Sequence, residues 1–267
     1  MSRSKALEPP VGGWDTREAL ADMPAEHSVI LDNWFPGTDR VTLRRGSAAY
    51  ATGMSGAVET LMDYTGVNGT AKLFAANAGN IYDVTDSGAV GSAVVSSMTN
   101  DRWQHVNMGT AAGQYLFAVN GDDTPRLYDG STWGTASISG PTAANLAWCQ
   151  LHQRRLWFGE KNSLTAYYLA VNAISGTATA FPLAGIARRG GYLVAMGTWS
   201  RDSGVGMDDV AVFLTSEGEA IVYSGTDPAA VSTWSLLGVF HIGRPIGRRC
   251  ITKAGADPLI VPEDGLV

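Results

Sequence analysis

The sequence predicts an all-β protein made of propeller-like blades, four complete plus a partial fifth, behind an extended N-terminal arm. Three observations predict it. Short apolar runs recur at near-constant spacing along the chain. The turns between them are rich in Gly, Asp and Asn, the residues that tight hairpins need. Only 16% of the 267 residues are charged, below the usual quarter, so much of the surface is expected to lie against other sheets or other subunits. A single all-β unit commonly reaches this length.

The repeat justifies the blades one by one. Each unit holds an apolar strand, a turn, and a second strand carrying an aromatic. The first has Leu73-Phe74-Ala75-Ala76, a turn at Gly79-Asn80 and Ile81-Tyr82-Asp83. The second has Tyr115 to Val119, Asn120-Gly121-Asp122-Asp123, then Arg126-Leu127-Tyr128. The third runs Arg155 to Phe158, Lys161-Asn162, then Ala166 to Leu169; the fourth runs Val210 to Leu214, Glu217-Gly218-Glu219, then Ala220 to Tyr223. Aligned on Phe74, Phe117, Phe158 and Phe213, the spacings are 43, 41 and 55 residues, about the 40–45 of a four-stranded blade. A further apolar run precedes each core strand, and the extra length before Phe213 is assigned to a Gly/Asp loop, Arg201 to Asp209. A fifth unit starts at Arg248 to Lys253 and Pro258 to Val261, with its partner strand unmade. A missing remainder is expected, or closure by an N-terminal strand such as Val41 to Leu43. The rival architecture is a β-sandwich with even strand spacing. Blades are favoured because a thin sheet hides both faces only by stacking between neighbours.

Residues 1–55 fall outside the repeat and form the arm; residues 56–267 hold the blades. Asp15-Thr16-Arg17-Glu18 has the spacing of a capping box, which predicts a helical turn through Ala19 and Leu20. Trp34-Phe35-Pro36-Gly37 sets two aromatics before a turn, and Val41 to Leu43 reads as a short strand. Trp34 and Phe35 are costly in water at about 25 cal/mol per Å², so they pack on the blades or on a neighbouring subunit.

The arm also carries a resemblance. Val11-Gly12-Gly13-Trp14-Asp15-Thr16-Arg17, the stretch from Met23 through Leu31-Asp32-Asn33-Trp34-Phe35-Pro36, and Val41 to Arg45-Gly46 resemble the opening of tail or packaged-DNA-stabilization proteins, the tail nozzle or tail-accessory factors of short-tailed phages. The resemblance implies β-propeller blades after the arm and assembly as a homo-oligomeric, six-fold ring below the portal and adaptor. It also implies contact with other tail proteins, tail fibres included, a role in retaining packaged DNA, and a place in the virion tail after synthesis in the host cytoplasm. Such proteins are longer than this chain.

The chemistry in the sequence is sparse. There is no nucleophile elbow, zincin motif, phosphate-binding loop or Cys-x-x-Cys pair, so no enzyme, no cofactor and no metal is expected. His27, His105, His152 and His241 are scattered singly. Asp122-Asp123 and Asp208-Asp209 lack calcium-loop spacing and read as turn residues. A glycosidase needs a carboxylate pair, and Glu160, Glu217 and Glu219 have no identifiable partners. Cys149 and Cys250 read as buried free thiols. No apolar run approaches the roughly 18 residues of a membrane helix, so no membrane insertion is expected.

Arginine is the informative residue. It supplies 15 of the 19 basic side chains, eight of them in adjacent pairs: Arg44-Arg45, Arg154-Arg155, Arg188-Arg189 and Arg248-Arg249. One reading makes these forks that bridge blades or subunits. The other sets some of them along a channel wall, as stations for DNA phosphate on a chain of net charge −6. The subunit interface is assigned to Trp14, Trp34, Phe35, Arg44 and Arg45, and the inter-blade or channel role to the last three pairs. The expected function is a structural tail subunit in a ring that closes the tail, holds DNA and lets it through, with only transient, non-specific DNA contact. The alternative is a monomeric propeller that binds a glycan or receptor.

Overall fold

The structure is a computed structural model that describes residues 8–202 and 207–266, whose regular structure is strand apart from two short 3-10 turns. The chain divides into two compact units, 1–50 and 51–267. The boundary falls before residue 55 because Ala51–Thr52 pairs in parallel with Gly88–Ala89 of the first blade.

The second unit consists of successive antiparallel sheets in chain order. Blade 1 holds Thr60–Thr65, Ala71–Asn77 and Asn80–Asp83, with a single bridge from Ile81 to Val95 at its outer edge. Blade 2 holds Gln104–Thr110, Gly113–Val119, Arg126–Tyr128 and Trp133–Thr135. Blade 3 holds Leu146–His152, Arg155–Glu160, Thr165–Tyr168 and Thr179–Pro182. Blade 4 holds Leu193–Asp202, Met207–Thr215, Glu219–Gly225 and Trp234–His241. Blade 5 is the pair Ile251–Ala254 and Asp257–Ile260. The architecture is propeller-like, as the repeat predicts.

Tight turns set the register. Between the second and third strands of blade 1, Ala78 and Gly79 both have positive φ, 50° and 74°, so Asn77 lies opposite Asn80 in a two-residue hairpin. Glycine is required at position 79 for a second reason: a Cβ there would sit 2.8 Å from the Met98 carbonyl oxygen.

The core is the set of blade interfaces. Buried apolar residues fall into four clusters, joining blades 1 and 2, 2 and 3, 3 and 4, and 4 and 5. Strand alternation feeds two of them at once. In Met207–Thr215, Ala211 and Phe213 face blade 3, while Val210, Val212 and Leu214 face blade 5. In Gly113–Val119, Phe117 and Val119 face blade 3, and Leu116 and Ala118 face blade 1. Aromatics dominate between blades 3 and 4, where Trp157 and Trp234 stack at 5.8 Å and Tyr223 stacks on Trp234 at 5.7 Å.

Four expectations need correction. The aligned phenylalanines do not occupy equivalent positions: Phe74 and Phe117 face the following blade, whereas Phe158 and Phe213 face the preceding one. Both faces of these strands are apolar, so a one-residue offset leaves the hydrophobic pattern unchanged. The segment Arg201 to Asp209 is largely strand, since blade 4's first two strands reach Asp202 and start at Met207; residues 203–206 of that predicted loop lie outside the described residues. Accordingly Asp208 and Asp209 are strand residues that accept hydrogen bonds from Ser224 and Ser200 hydroxyls. Val41–Leu43 pairs with Trp34–Pro36 in the first unit and so does not complete blade 5.

The fourth correction concerns the capping box. The Asp15 amide donates to the Ser28 carbonyl, continuing the parallel pairing of Gly13–Trp14 with His27–Ser28. Residues 15–20 therefore stay non-helical. The Asp15 carboxylate accepts the Arg17 amide at 2.9 Å and meets His27 Nδ1 at 3.2 Å.

Cys149 and Cys250 are buried free thiols in two different blade interfaces. Desolvation raises both, Cys250 to about 11. No helix among the described residues is long and apolar enough to cross a membrane.

Close packing makes one glycine sensitive. A Cβ on Gly159 would lie 2.1 Å from the Trp148 indole. Gly159→Ala is expected to cost about 1–3 kcal/mol by overpacking, read by urea unfolding, and Trp148→Leu in the same chain should recover part of the loss.

Candidate functional site

The first strands of the blades surround the axis, and their side chains line a cavity of about 400 Å³ that includes Thr60, Gln104, Gln150, Ala195 and Ile251. At one end stands the pair Arg248-Arg249, which also lines a wider bowl of about 1120 Å³. The pair therefore lines both cavities.

Backbone carbonyls hold it there. Arg249 Nη1 donates to the Glu59 carbonyl at 2.8 Å, and Nη2 to Thr60 Oγ1 at 2.5 Å and the Trp103 carbonyl at 3.2 Å. The Thr60 hydroxyl is the hub of this knot, donating to the Asp101 carbonyl and accepting the Trp103 amide at 3.1 Å. Arg248 Nη1 donates to the Asn120 carbonyl at 3.3 Å. A residue that precedes blade 5 thus ties blades 1 and 2 at the axis.

The bowl rim is a ring of loops that precede first strands or follow second strands. Asp101 accepts the Gly79 amide on both oxygens. Asp123 accepts the Thr99 amide and hydroxyl, both at 2.8 Å. Asp122 takes Lys161 Nζ at 2.7 Å and Asn100 Nδ2 at 2.7 Å; the lysine ammonium holds its carboxyl below the usual carboxylate range. Arg244 meets Glu217 at 2.6 Å, and Arg102 meets Glu59 at 3.4 Å.

The other arginine pairs lie elsewhere. Arg154 Nε donates to Asn172 at 3.0 Å from an exposed turn. Arg155 crosses from blade 3 to Asp227 at 3.1 Å, after blade 4's third strand, with its guanidinium 5.6 Å from the Tyr168 ring centre. The amides of Arg188 and Arg189 donate to the buried Glu219 carboxylate at 3.2 and 3.0 Å, and Arg189 Nη1 bonds His241 Nε2. Arg44 and Arg45 are exposed in the first unit. So are Trp14, Trp34 and Phe35, at 70%, 47% and 59%. Of the predicted pairs, only Arg248-Arg249 reaches the axis.

The glutamates weighed for glycosidase chemistry are already engaged. Glu160 accepts the Thr142 amide at 2.7 Å and the Tyr167 hydroxyl at 3.1 Å, while Glu217 and Glu219 have the partners above. Among the described residues no three or more His, Cys, Asp or Glu are grouped to hold a metal ion. Sequence reasoning missed the rim residues Asn100, Asp101, Asn120 and Lys161, whose loops are distant in the chain and share no motif.

With the geometry in place, comparison adds little. No family model and no curated protein matches the chain. Among solved structures it is similar to a chain from the crystal structure of BBS1N in complex with ARL6DN, soaked with lead, at 12% identity and TM-score 0.46. That match covers 85% of this chain and 66% of the other, just under two thirds of its length. The fold assignment rests on the sheet order and blade interfaces.

One buried histidine makes stability depend on pH. His152 is 2% exposed, bonded through Nδ1 to Thr198 Oγ1 at 3.0 Å and packed edge-on against Trp234. Burial pushes it down to about 4, although Asp209 and Asp208 pull the other way. The unfolded chain takes up this proton near pH 6.5 and the folded chain only near 4, so stability is full above pH 6.5 and falls as pH drops toward 4. His152→Gln should remove on the order of 3 kcal/mol of that loss, measured as the difference in denaturant midpoints between variant and parent at pH 7 and pH 4.

Proposed function

We propose that the chain is a structural subunit of a short-tailed phage tail, working in a ring as a nozzle or tail-tube component that retains packaged DNA and lets it pass. The observation that carries this reading is the arm: Trp14, Trp34 and Phe35 stand exposed in the stretch that resembles the opening of such tail proteins. Aromatics in water cost free energy that a neighbouring subunit recovers. Trp34 and Phe35 sit on the hairpin with Val41–Leu43. The propeller-like blades are compatible with the reading, and Arg44 and Arg45 are exposed just after the hairpin.

In this reading DNA passes through the hole of the assembled ring, and not through the cavity of about 400 Å³ between the first strands of the blades. Arg248 and Arg249 belong to the blade axis in this scheme, leaving Arg154, Arg188 and Arg189 as the candidates for a ring wall.

A second reading, a monomeric binding module at a tail tip, is favoured by one observation: the polar bowl at the axial mouth, of about 1120 Å³, is roomy for a ligand. Solution mass separates the two. Trp34→Ala with Phe35→Ala is expected to reduce a multi-subunit ring to smaller species in light scattering while leaving the far-ultraviolet circular dichroism unchanged. A parent protein that is monomeric at every concentration overturns the ring reading.

A further inference from the structure

Charge is distributed unevenly across the bowl. Each rim cation has a carboxylate partner: Lys161 with Asp122, Arg244 with Glu217, and Arg102 with Glu59. The floor cations form no ion pair among the described residues, although Arg248 lies near enough to the Lys161-paired Asp122 to help hold that carboxyl down. Arg249 is held by two carbonyls and a hydroxyl, and Arg248 by a single carbonyl. Two further acids line the bowl, and neither forms an ion pair with the arginines: Asp101 is turned to the Gly79 amide, and Glu263 lies exposed at the rim. Arg248 is half-buried, with Nη1 2.9 Å from where a Cβ on Gly121 would stand. Two adjacent guanidinium groups, Arg248 half-buried and Arg249 exposed, repel each other, and an anion set between them relieves that repulsion.

We propose that the floor of the bowl is an oxyanion site that takes a phosphate group, with Arg248 as its principal donor and Arg249 as the fixed second charge. Arg249 spends its donors on backbone and orients the knot. Arg248 keeps most of its fork for a ligand, the geometry that suits phosphate oxygens. A pair of positive charges matches a dianion better than a single carboxylate, and the open volume above it admits a phosphorylated molecule or the backbone of a nucleic-acid end. The inference rests on the bowl and not on ring assembly, so either can fail alone.

The test uses the full chain at low ionic strength, where surface screening is least. Inorganic phosphate is titrated calorimetrically, and melting is compared in phosphate and in chloride of equal ionic strength. The expected result is saturable phosphate binding with a raised melting midpoint, weakened about tenfold or more in Arg248→Gln and unchanged in the exposed control Arg40→Gln. Identical melting in the two salts overturns the site, and so does binding undiminished in Arg248→Gln. If the glutamine variant does not fold, Arg248→Lys replaces it. Lysine keeps the charge but loses the fork, and undiminished binding there overturns the assignment to Arg248. A short single-stranded oligonucleotide that competes with phosphate identifies a nucleic-acid backbone as the source of the group. An oligonucleotide that does not compete identifies a free phosphorylated molecule.

Discussion

The structure depends on a property of thin sheets: a blade has two apolar faces and no means of covering either. Alternation along each inner strand sends successive side chains to opposite neighbours, so blades 2, 3 and 4 are glued on both sides. Phe213 and Val212, adjacent in sequence, belong to different clusters. The four clusters are consequently one stack and not four separate cores. Trp157 shows how strongly a single residue joins two blades: it is fully buried and in ring contact with Tyr168 and Phe181 of blade 3 and Phe213 and Trp234 of blade 4.

The stack also determines where chemistry can reside. Side chains between blades are committed to packing, leaving the loops at the ends of the strands and the narrow axis for polar work. The rim residues show the pattern. Asp101 reaches from the approach to blade 2 to the Gly79 turn of blade 1, and Lys161 reaches from blade 3 to Asp122 of blade 2. Each polar link crosses an interface that apolar packing has already fixed, so the loops hold the bowl open at little additional entropic cost.

The architecture was legible in sequence because apolar strands and hairpin turns are local signals. Leu146 to Leu151 and Leu193 to Trp199 are strands where the spacing put them, and the turn expected at Gly79-Asn80 lies one residue earlier, at Ala78-Gly79. Parity was not legible, because strands with two apolar faces look the same after a one-residue shift; the phenylalanine alignment failed for that reason. Blade 4's long first hairpin was mistaken for a loop because Asp208 and Asp209 have turn-like composition, and only their cross-strand hydroxyl partners show otherwise. The axial site was half legible. The doubled arginines stood out, but nothing in the sequence separated Arg248-Arg249 from the other pairs. The acceptors are mostly main-chain carbonyls, which any residue supplies and no motif records.

The clamp at the axis also sets an order in time. Arg249 lies 190 positions from the Glu59 carbonyl it grips, so it leaves the ribosome about 10–40 s after its anchor at ordinary synthesis rates. Blades 1 to 4 can stack progressively as they emerge, each new sheet finding its neighbour already present. The knot at Thr60 can close only when blade 5 arrives. This contact thus ties blade 5 back to blades 1 and 2 only after the four blades before it have emerged.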